Sequence, residues 1–138
     1  MEFAYTKIPS TDGYHSHFLE PIIDLKLYRG AAFIPLKGLI DTGADRTLIH
    51  TDIADGLYID YKKGKKTSIR GISGGNIPVY MLNNLELEIL GMANSKIKMS
   101  IGFTPASHIS VLLGQWGFLE NYKVSFEQKN EKFFIESY

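Results

Sequence analysis

Hydrophobic and polar residues alternate with a period of two along most of this chain. Four segments carry the clearest alternation, with apolar positions at Ile23, Leu25 and Leu27; Leu85, Leu87 and Ile89; Ile97, Met99, Ile101 and Phe103; and Tyr122, Val124 and Phe126. Successive side chains of a strand point to opposite faces of its sheet, so each segment predicts a strand with one face in the core. Glycine and asparagine clusters between these segments indicate the turns of an all-β domain.

Helical patterns are sparse. Residues 51–55 predict one short helix that is capped by Thr51 and ended by Gly56, and residues 115–120 predict a turn of helix after Gly114, near the C-terminus. Neither segment has a sustained stripe of apolar residues at helical spacing. The chain therefore offers strands, and not helices, for building a core.

The two ends of the chain differ in their patterns. Residues 1–18 have weak periodicity, and we expect a loosely ordered N-terminal arm there. Near the C-terminus, two alternating segments at 122–127 and 132–137 flank a Gln-Lys-Asn turn and predict a hairpin. We expect residues 1–138 to form a single domain.

Length, composition and charge narrow the function classes. The chain has 138 residues, of which 44% are hydrophobic, and a chain of this size buries roughly two-thirds of its unfolded surface. It has no cysteine, which excludes disulfides, thiolate catalysis and cysteine metal sites. Fifteen basic residues balance fifteen acidic ones, so no net charge draws the chain to nucleic acid or membranes. No leader-like or membrane-spanning apolar run is found, and we expect a cytoplasmic protein.

The segment with the sharpest chemical pattern is Asp41-Thr42-Gly43-Ala44-Asp45-Arg46-Thr47. An apolar strand runs into Asp41, which places a carboxylate where the core meets the surface. Partial burial raises the pKa of a carboxyl group, which suits general acid or base catalysis. Taken alone, Asp-Thr-Gly is also compatible with an ordinary turn after a strand.

Two further segments help to decide between a catalytic carboxylate and an ordinary turn. A glycine-rich tip lies between apolar flanks and predicts a mobile hairpin; its residues are Gly71, Ile72, Ser73, Gly74 and Gly75. Further along, Val111-Leu112-Leu113-Gly114 predicts a short buried strand that ends at glycine. By themselves these two segments are compatible with a plain hairpin and plain core.

Together, in this order and spacing, the three segments resemble the retropepsins, the single-domain aspartic proteases of retroviral type, across most of the chain. The likeness is to small bacterial or archaeal members. It implies an all-β closed barrel of the acid protease fold, with one short helix near the C-terminus and a flap hairpin. Aspartic proteolysis needs two carboxylates that share one proton. Since this chain has one Asp-Thr-Gly, the resemblance implies a symmetric homodimer with Asp41 from each subunit at the axis.

The resemblance also implies roles for individual residues in hydrolysing an extended, largely apolar peptide. Thr42 would bond across the dimer axis, Gly43 would offer its carbonyl and Asp45 its amide to the substrate. Residues 71–75 would close over the peptide, and the apolar pockets would be lined by Ala44, Ile72, Val111 and Leu113. Viral members have an arginine where this chain has Gln115, so the ion pair of Asp45 needs another partner. The activated water requires no metal or cofactor.

Other readings of the sequence were weighed against this one. A retropepsin-fold module that binds peptide or dimerises with little or no turnover is the alternative. Four lysines within residues 62–66 fit a charged loop better than a nucleic-acid site, because aromatic platforms are scarce there. His15 and His17 share a strand face, but a solvated arm is favoured over a metal site.

Overall fold

The computed structural model describes residues 1–138. Its regular elements are β1 (Glu2–Ala4), β2 (Thr6–Pro9), β3 (His17–Glu20), β4 (Ile22–Arg29), β5 (Ala32–Ile40), β6 (Leu48–His50), α1 (Thr51–Gly56), β7 (Lys65–Arg70), β8 (Asn76–Ile89), β9 (Ile97–Thr104), β10 (Val111–Leu113), β11 (Tyr122–Glu127) and β12 (Lys132–Ser137). Single 3₁₀ turns lie at Tyr61–Lys63 and Gln128–Asn130. None of the helices has the length and hydropathy that a membrane span requires.

The largest sheet closes into a barrel. Its strands follow the order β4-β5-β10-β6-β9-β8-β7, and β4 also pairs with β8, so six strands form a closed ring and β7 extends beyond it. The predicted all-β closed barrel is thereby confirmed. Closure depends on the long β8, which bulges between Leu82 and Leu85. Asn84 adopts a φ of 65° in this bulge, a left-handed conformation that asparagine tolerates better than most residues.

The alternation read from the sequence is the alternation of the core. Ile23, Leu25 and Leu27 of β4 point inward and are almost fully buried, whereas Asp24 between them is exposed and pairs with Lys37 of β5 at 2.7 Å. Twenty buried residues form one hydrophobic cluster, which joins barrel strands to Phe133 and Ile135 of β12 in the three-stranded sheet. A smaller cluster of four lies beside it and is made of Leu48, Val79, Ala106 and Ile109.

The N-terminal segment is tied to the rest of the chain, which differs from the expected loose arm. β1 pairs with β12, and β2 pairs with β3 in a hairpin. The Met1 and Ile135 backbones exchange hydrogen bonds of 3.0 Å, and Phe3 stacks on Phe133 with ring centroids 5.6 Å apart. The sequence pattern did not indicate this arrangement, because strands of three or four residues contain too few alternating positions. The predicted C-terminal hairpin of β11 and β12 is confirmed.

The helices also differ in detail from the expectations. The α-helix is α1, and its N-cap is His50, whose Nδ1 accepts a hydrogen bond from the Asp52 amide at 3.0 Å, in place of Thr51. The segment after Gly114 forms a series of turns and no regular helix. Gly117 interrupts it with a φ of 96°, outside the right-handed helical region.

Candidate active site

The Asp41 side chain is positioned at the end of two parallel strands. β5 leads into Asp41 and pairs with β10, and the Asp41 amide continues this pairing by donating to the Leu113 carbonyl at 3.0 Å. The chain then turns, with the Ala44 amide donating to the Asp41 carbonyl at 3.2 Å. In this turn the Gly43 amide donates to Asp41 Oδ1 at 2.9 Å. The half-buried carboxylate therefore has one oxygen held by the backbone, while Oδ2 has no hydrogen-bond partner in the chain.

The segment that follows β10 holds the Asp41 turn through backbone hydrogen bonds. The Gln115 amide donates to the Ala44 carbonyl at 2.9 Å, and the Trp116 amide donates to the Asp45 carbonyl at 2.8 Å. The two segments approach so closely at Gly114 that a Cβ there would lie 2.3 Å from the Arg46 carbonyl oxygen. Only glycine permits this approach, which gives the Val-Leu-Leu-Gly pattern a physical meaning.

Thr47 joins the same two segments through its side chain, a role that the sequence did not reveal. Its hydroxyl is fully buried and accepts hydrogen bonds from the amides of Gly114, at 3.3 Å, and Phe118, at 3.1 Å. A buried hydroxyl with two donors is a fixed structural node. The clue in the sequence is its place in the string of residues 41–47.

Gln115 supports the loop differently from an arginine. Its Nε2 donates to the Thr42 carbonyl at 2.6 Å, so it holds the Asp41 turn by its backbone. The Asp45 carboxylate is exposed, and none of the salt bridges of the chain includes it. Arg46 does not replace the missing ion pair within one copy. The Thr42 and Gly43 residues are exposed at the surface beside Asp41.

The glycine-rich segment forms a hairpin tip between β7 and β8. The Gly71 amide donates to the Gly75 carbonyl at 2.6 Å, and the Gly74 amide donates to the Gly71 carbonyl at 3.0 Å. Gly74 has a φ of 88°, which favours glycine at this position. Ile72 is 84% exposed at the tip, and Ser73 is exposed beside it. The tip thus presents an apolar side chain that nothing in the single chain covers.

The structure places the apolar residues of β10 in two different environments. Leu113 is fully buried in the core of the single chain and has no exposed surface there. Its neighbour Leu112 borders a surface cleft of about 260 Å³ instead. The cleft is lined by Ile22, Lys37, Leu39, His108, Ser110, Val111 and Leu112. Leu39 of β5 lines this cleft and lies two residues before Asp41, which directly follows the strand. The cleft and the carboxylate are therefore neighbours along the chain.

Comparisons with known proteins agree with this geometry. The sequence matches the family model described as aspartyl protease over residues 30–115, which include the Asp41 turn, the hairpin tip and β10. The structure is similar to that of a retropepsin-like aspartic protease from Rickettsia conorii, with 17% identity, a TM-score of 0.64, and coverage of 99% of this chain and 98% of that one. It is also similar to the EIAV protease complexed with the inhibitor HBY-793, with 24% identity, a TM-score of 0.50, and coverage of 70% and 82%. A comparison with curated proteins finds no match. The structural likenesses establish the retropepsin-like fold.

Proposed function

Because this chain belongs to the aspartyl protease family, we propose that two copies of it form an aspartic endopeptidase that cleaves extended, largely apolar peptide segments. Each copy contributes Asp41 to a catalytic pair at a two-fold axis. The observation that carries the proposal is the Asp41 carboxylate, which the backbone orients through one oxygen while the other has no partner in the chain. A single Asp-Thr-Gly per chain requires the second copy.

The chemistry follows from two carboxyl groups that share one proton. Like charges at close range cannot both ionise, so the pair holds one proton over a range of acidic to neutral pH. The ionised Asp41 takes a proton from water as the water oxygen bonds to the scissile carbonyl carbon. The protonated Asp41 of the other copy donates its proton to the carbonyl oxygen. The C–N bond then breaks as the amine nitrogen receives a proton from the first carboxyl group, while one hydroxyl of the tetrahedral intermediate returns its proton to the second carboxylate and the C=O bond forms again.

The surroundings of Asp41 fit an extended peptide. In this proposal the Gly43 carbonyl and the Asp45 amide pair with the substrate backbone, and Thr42 bonds across the axis to its counterpart. The cleft between Leu39 and Leu112 accepts an apolar side chain next to the scissile bond, since four of its seven lining residues are hydrophobic. Ala44 closes the same turn through its amide, and in this proposal its methyl group contacts the substrate.

The hairpin tip supplies the cover that hydrolysis requires. Gly71 and Gly75 flank a short, exposed turn, and closure of this turn over the peptide would exclude bulk water and strengthen electrostatic interactions in the site. Burial of Ile72 against substrate or the partner copy would favour closure, because its side chain is 84% exposed in the single chain.

The test is cleavage of a mixed peptide library between about pH 4 and 7 by the wild type and by Asp41→Asn. The asparagine Oδ1 can still accept the Gly43 amide, so the variant should fold. We expect product from the wild type and a rate at least about 10²- to 10⁴-fold lower from the variant. Asp55→Asn is the matched control, because Asp55 is exposed on α1 and forms no salt bridge; it should cleave like the wild type.

Sedimentation of the same samples tests the second copy. Full activity from a protein that stays monomeric at the assay concentration would refute the shared pair. A folded dimer that binds peptides and yields no product at any pH would replace the enzyme with the alternative, a binding module of the same fold.

A further inference from the structure

Half-buried Arg46 and exposed Trp116 form a pair beside the Asp41 turn. Trp116 is the single tryptophan of the chain and is 56% exposed. The Arg46 guanidinium carbon lies 5.5 Å from the centroid of its ring, within the range of a cation–π contact. Their backbones form a parallel bridge, and the Thr47 amide donates to the Trp116 carbonyl at 2.9 Å. The backbones of the two residues are therefore fixed relative to each other.

The Arg46 guanidinium has no anionic partner within the chain. Every salt bridge joins other residues, and no side-chain hydrogen bond comes from Arg46. The neighbouring Asp45 does not fill this place, because its carboxylate forms no salt bridge with Arg46. A planar group with five donors and no acceptor nearby is suited to bind a carboxylate from outside.

The distance from Asp41 fixes where such a carboxylate would lie along a bound peptide. A turn of four residues brings Asp41 and Ala44 within about 7 Å between Cα atoms, and two more residues add at most about 7 Å. Arg46 is thus within about 14 Å of Asp41. An extended peptide rises about 3.3 Å per residue, so this span corresponds to at most about four residues.

We propose that Arg46, with the Trp116 ring packed against it, binds an acidic side chain of the substrate within about four residues of the scissile bond. The inference rests on the proposed protease function and narrows it to peptides that combine an apolar residue at the cut with a nearby Asp or Glu. Two copies related by a two-fold axis would present one Arg46 on each side of the cut.

The test compares two peptides that the library shows to be cleaved and that differ by Glu or Gln at the selected position. At pH 6 the glutamate is ionised. We expect the wild type to have a kcat/KM about 10-fold or more higher for the Glu peptide at low salt, since hydrogen bonds to charged groups are the strong ones. Arg46→Ala should bring the ratio close to one, and Arg46→Lys should restore part of it. Arg29→Ala removes an exposed arginine at the end of β4 and should leave the ratio unchanged.

A second measurement separates this inference from the proposed function. Trp116 fluorescence reports binding of the Glu and Gln peptides to Asp41→Asn, in which no turnover is needed. Tighter binding of the Glu peptide that Arg46→Ala abolishes would support the carboxylate site even if no product is ever formed. The inference would be overturned if Arg46→Ala left the Glu-to-Gln preference unchanged in both cleavage and binding. Arg46 and Trp116 would then be a stacked pair that only stabilises the fold.

Discussion

Replacing Gly114 by alanine tests whether the contact between two distant segments holds the Asp41 turn. The new Cβ would lie 2.3 Å from the Arg46 carbonyl oxygen and 2.6 Å from the Ala44 carbonyl oxygen. Real Cβ atoms essentially never approach such atoms within 3.0 Å. The obstructing atoms belong to the backbone and cannot rotate away, so the segments must separate by several tenths of an ångström.

The cost follows from the hydrogen bonds at this contact. Separation stretches the bond from the Gln115 amide to the Ala44 carbonyl, 2.9 Å, and the bond from the Trp116 amide to the Asp45 carbonyl, 2.8 Å. Each lost bond contributes about 0.5–1.5 kcal/mol, and forced overpacking costs about 1–3 kcal/mol. We expect the free energy of unfolding to fall by about 2–6 kcal/mol, a large share of the roughly 5–15 kcal/mol typical of a domain. The melting temperature should fall by about 10 °C or more.

Urea unfolding followed by circular dichroism measures this loss, and Gly75→Ala is the matched control. A Cβ at Gly75 has no heavy atom within 4 Å, and its φ is not positive, so that variant should stay within about 0.5 kcal/mol of the wild type. Equal unfolding midpoints for Gly114→Ala and Gly75→Ala, with unchanged m-values, would refute the account of the contact.

Two further predictions concern buried hydroxyl groups. Thr47→Val leaves the amides of Gly114 and Phe118 without their acceptor and should lower the free energy of unfolding by about 2–5 kcal/mol; Thr47→Ser keeps the acceptor and should lose clearly less, and equal losses would argue against the hydroxyl. Burial raises the pKa of Tyr122 from 10.0 to about 12. The neutral hydroxyl therefore contributes its full stabilisation below pH 10. This contribution is lost as the pH rises towards 12, by about 1 kcal/mol at pH 11. Tyr122→Phe, which removes the hydrogen bond to the Ser95 carbonyl, should be less stable at pH 8 in urea unfolding and should lack this alkaline loss; a gap from the wild type that is the same at pH 8 and pH 11 would contradict the assignment.

The position of Leu113 illustrates why part of the candidate site could not be predicted. The run Val111-Leu112-Leu113 is apolar at every position, so it has no alternation that distinguishes the inward face from the outward face. The pairing of β10 with β5 and β6 decides this. It turns Leu113 into the core and leaves Leu112 at the cleft.

The hydrogen bonds that support the Asp41 turn could not be predicted from the sequence either. Gln115 and Thr42 are 73 residues apart, and nothing local to either residue indicates that the Gln115 amide group donates to the Thr42 carbonyl. The sequence identified Gln115 only as a neutral residue at a position of interest. The Thr47 hydroxyl was overlooked for the same reason, since its two donors lie on a segment that only the barrel brings close.

Local patterns by themselves determined the longer strands, the turn after β5, the glycine-rich tip and the C-terminal hairpin, because period-two burial and turn chemistry are properties of neighbouring residues. The resemblance in the string of residues 41–47 added the fold family. Only the tertiary structure decided the pairing of β1 with β12, the face of Leu112, the absence of a helix after Gly114 and the exposure of Trp116 beside Arg46. Each of these features depends on contacts between residues far apart in the chain. No local pattern determines the register of such contacts or the face on which a side chain lies.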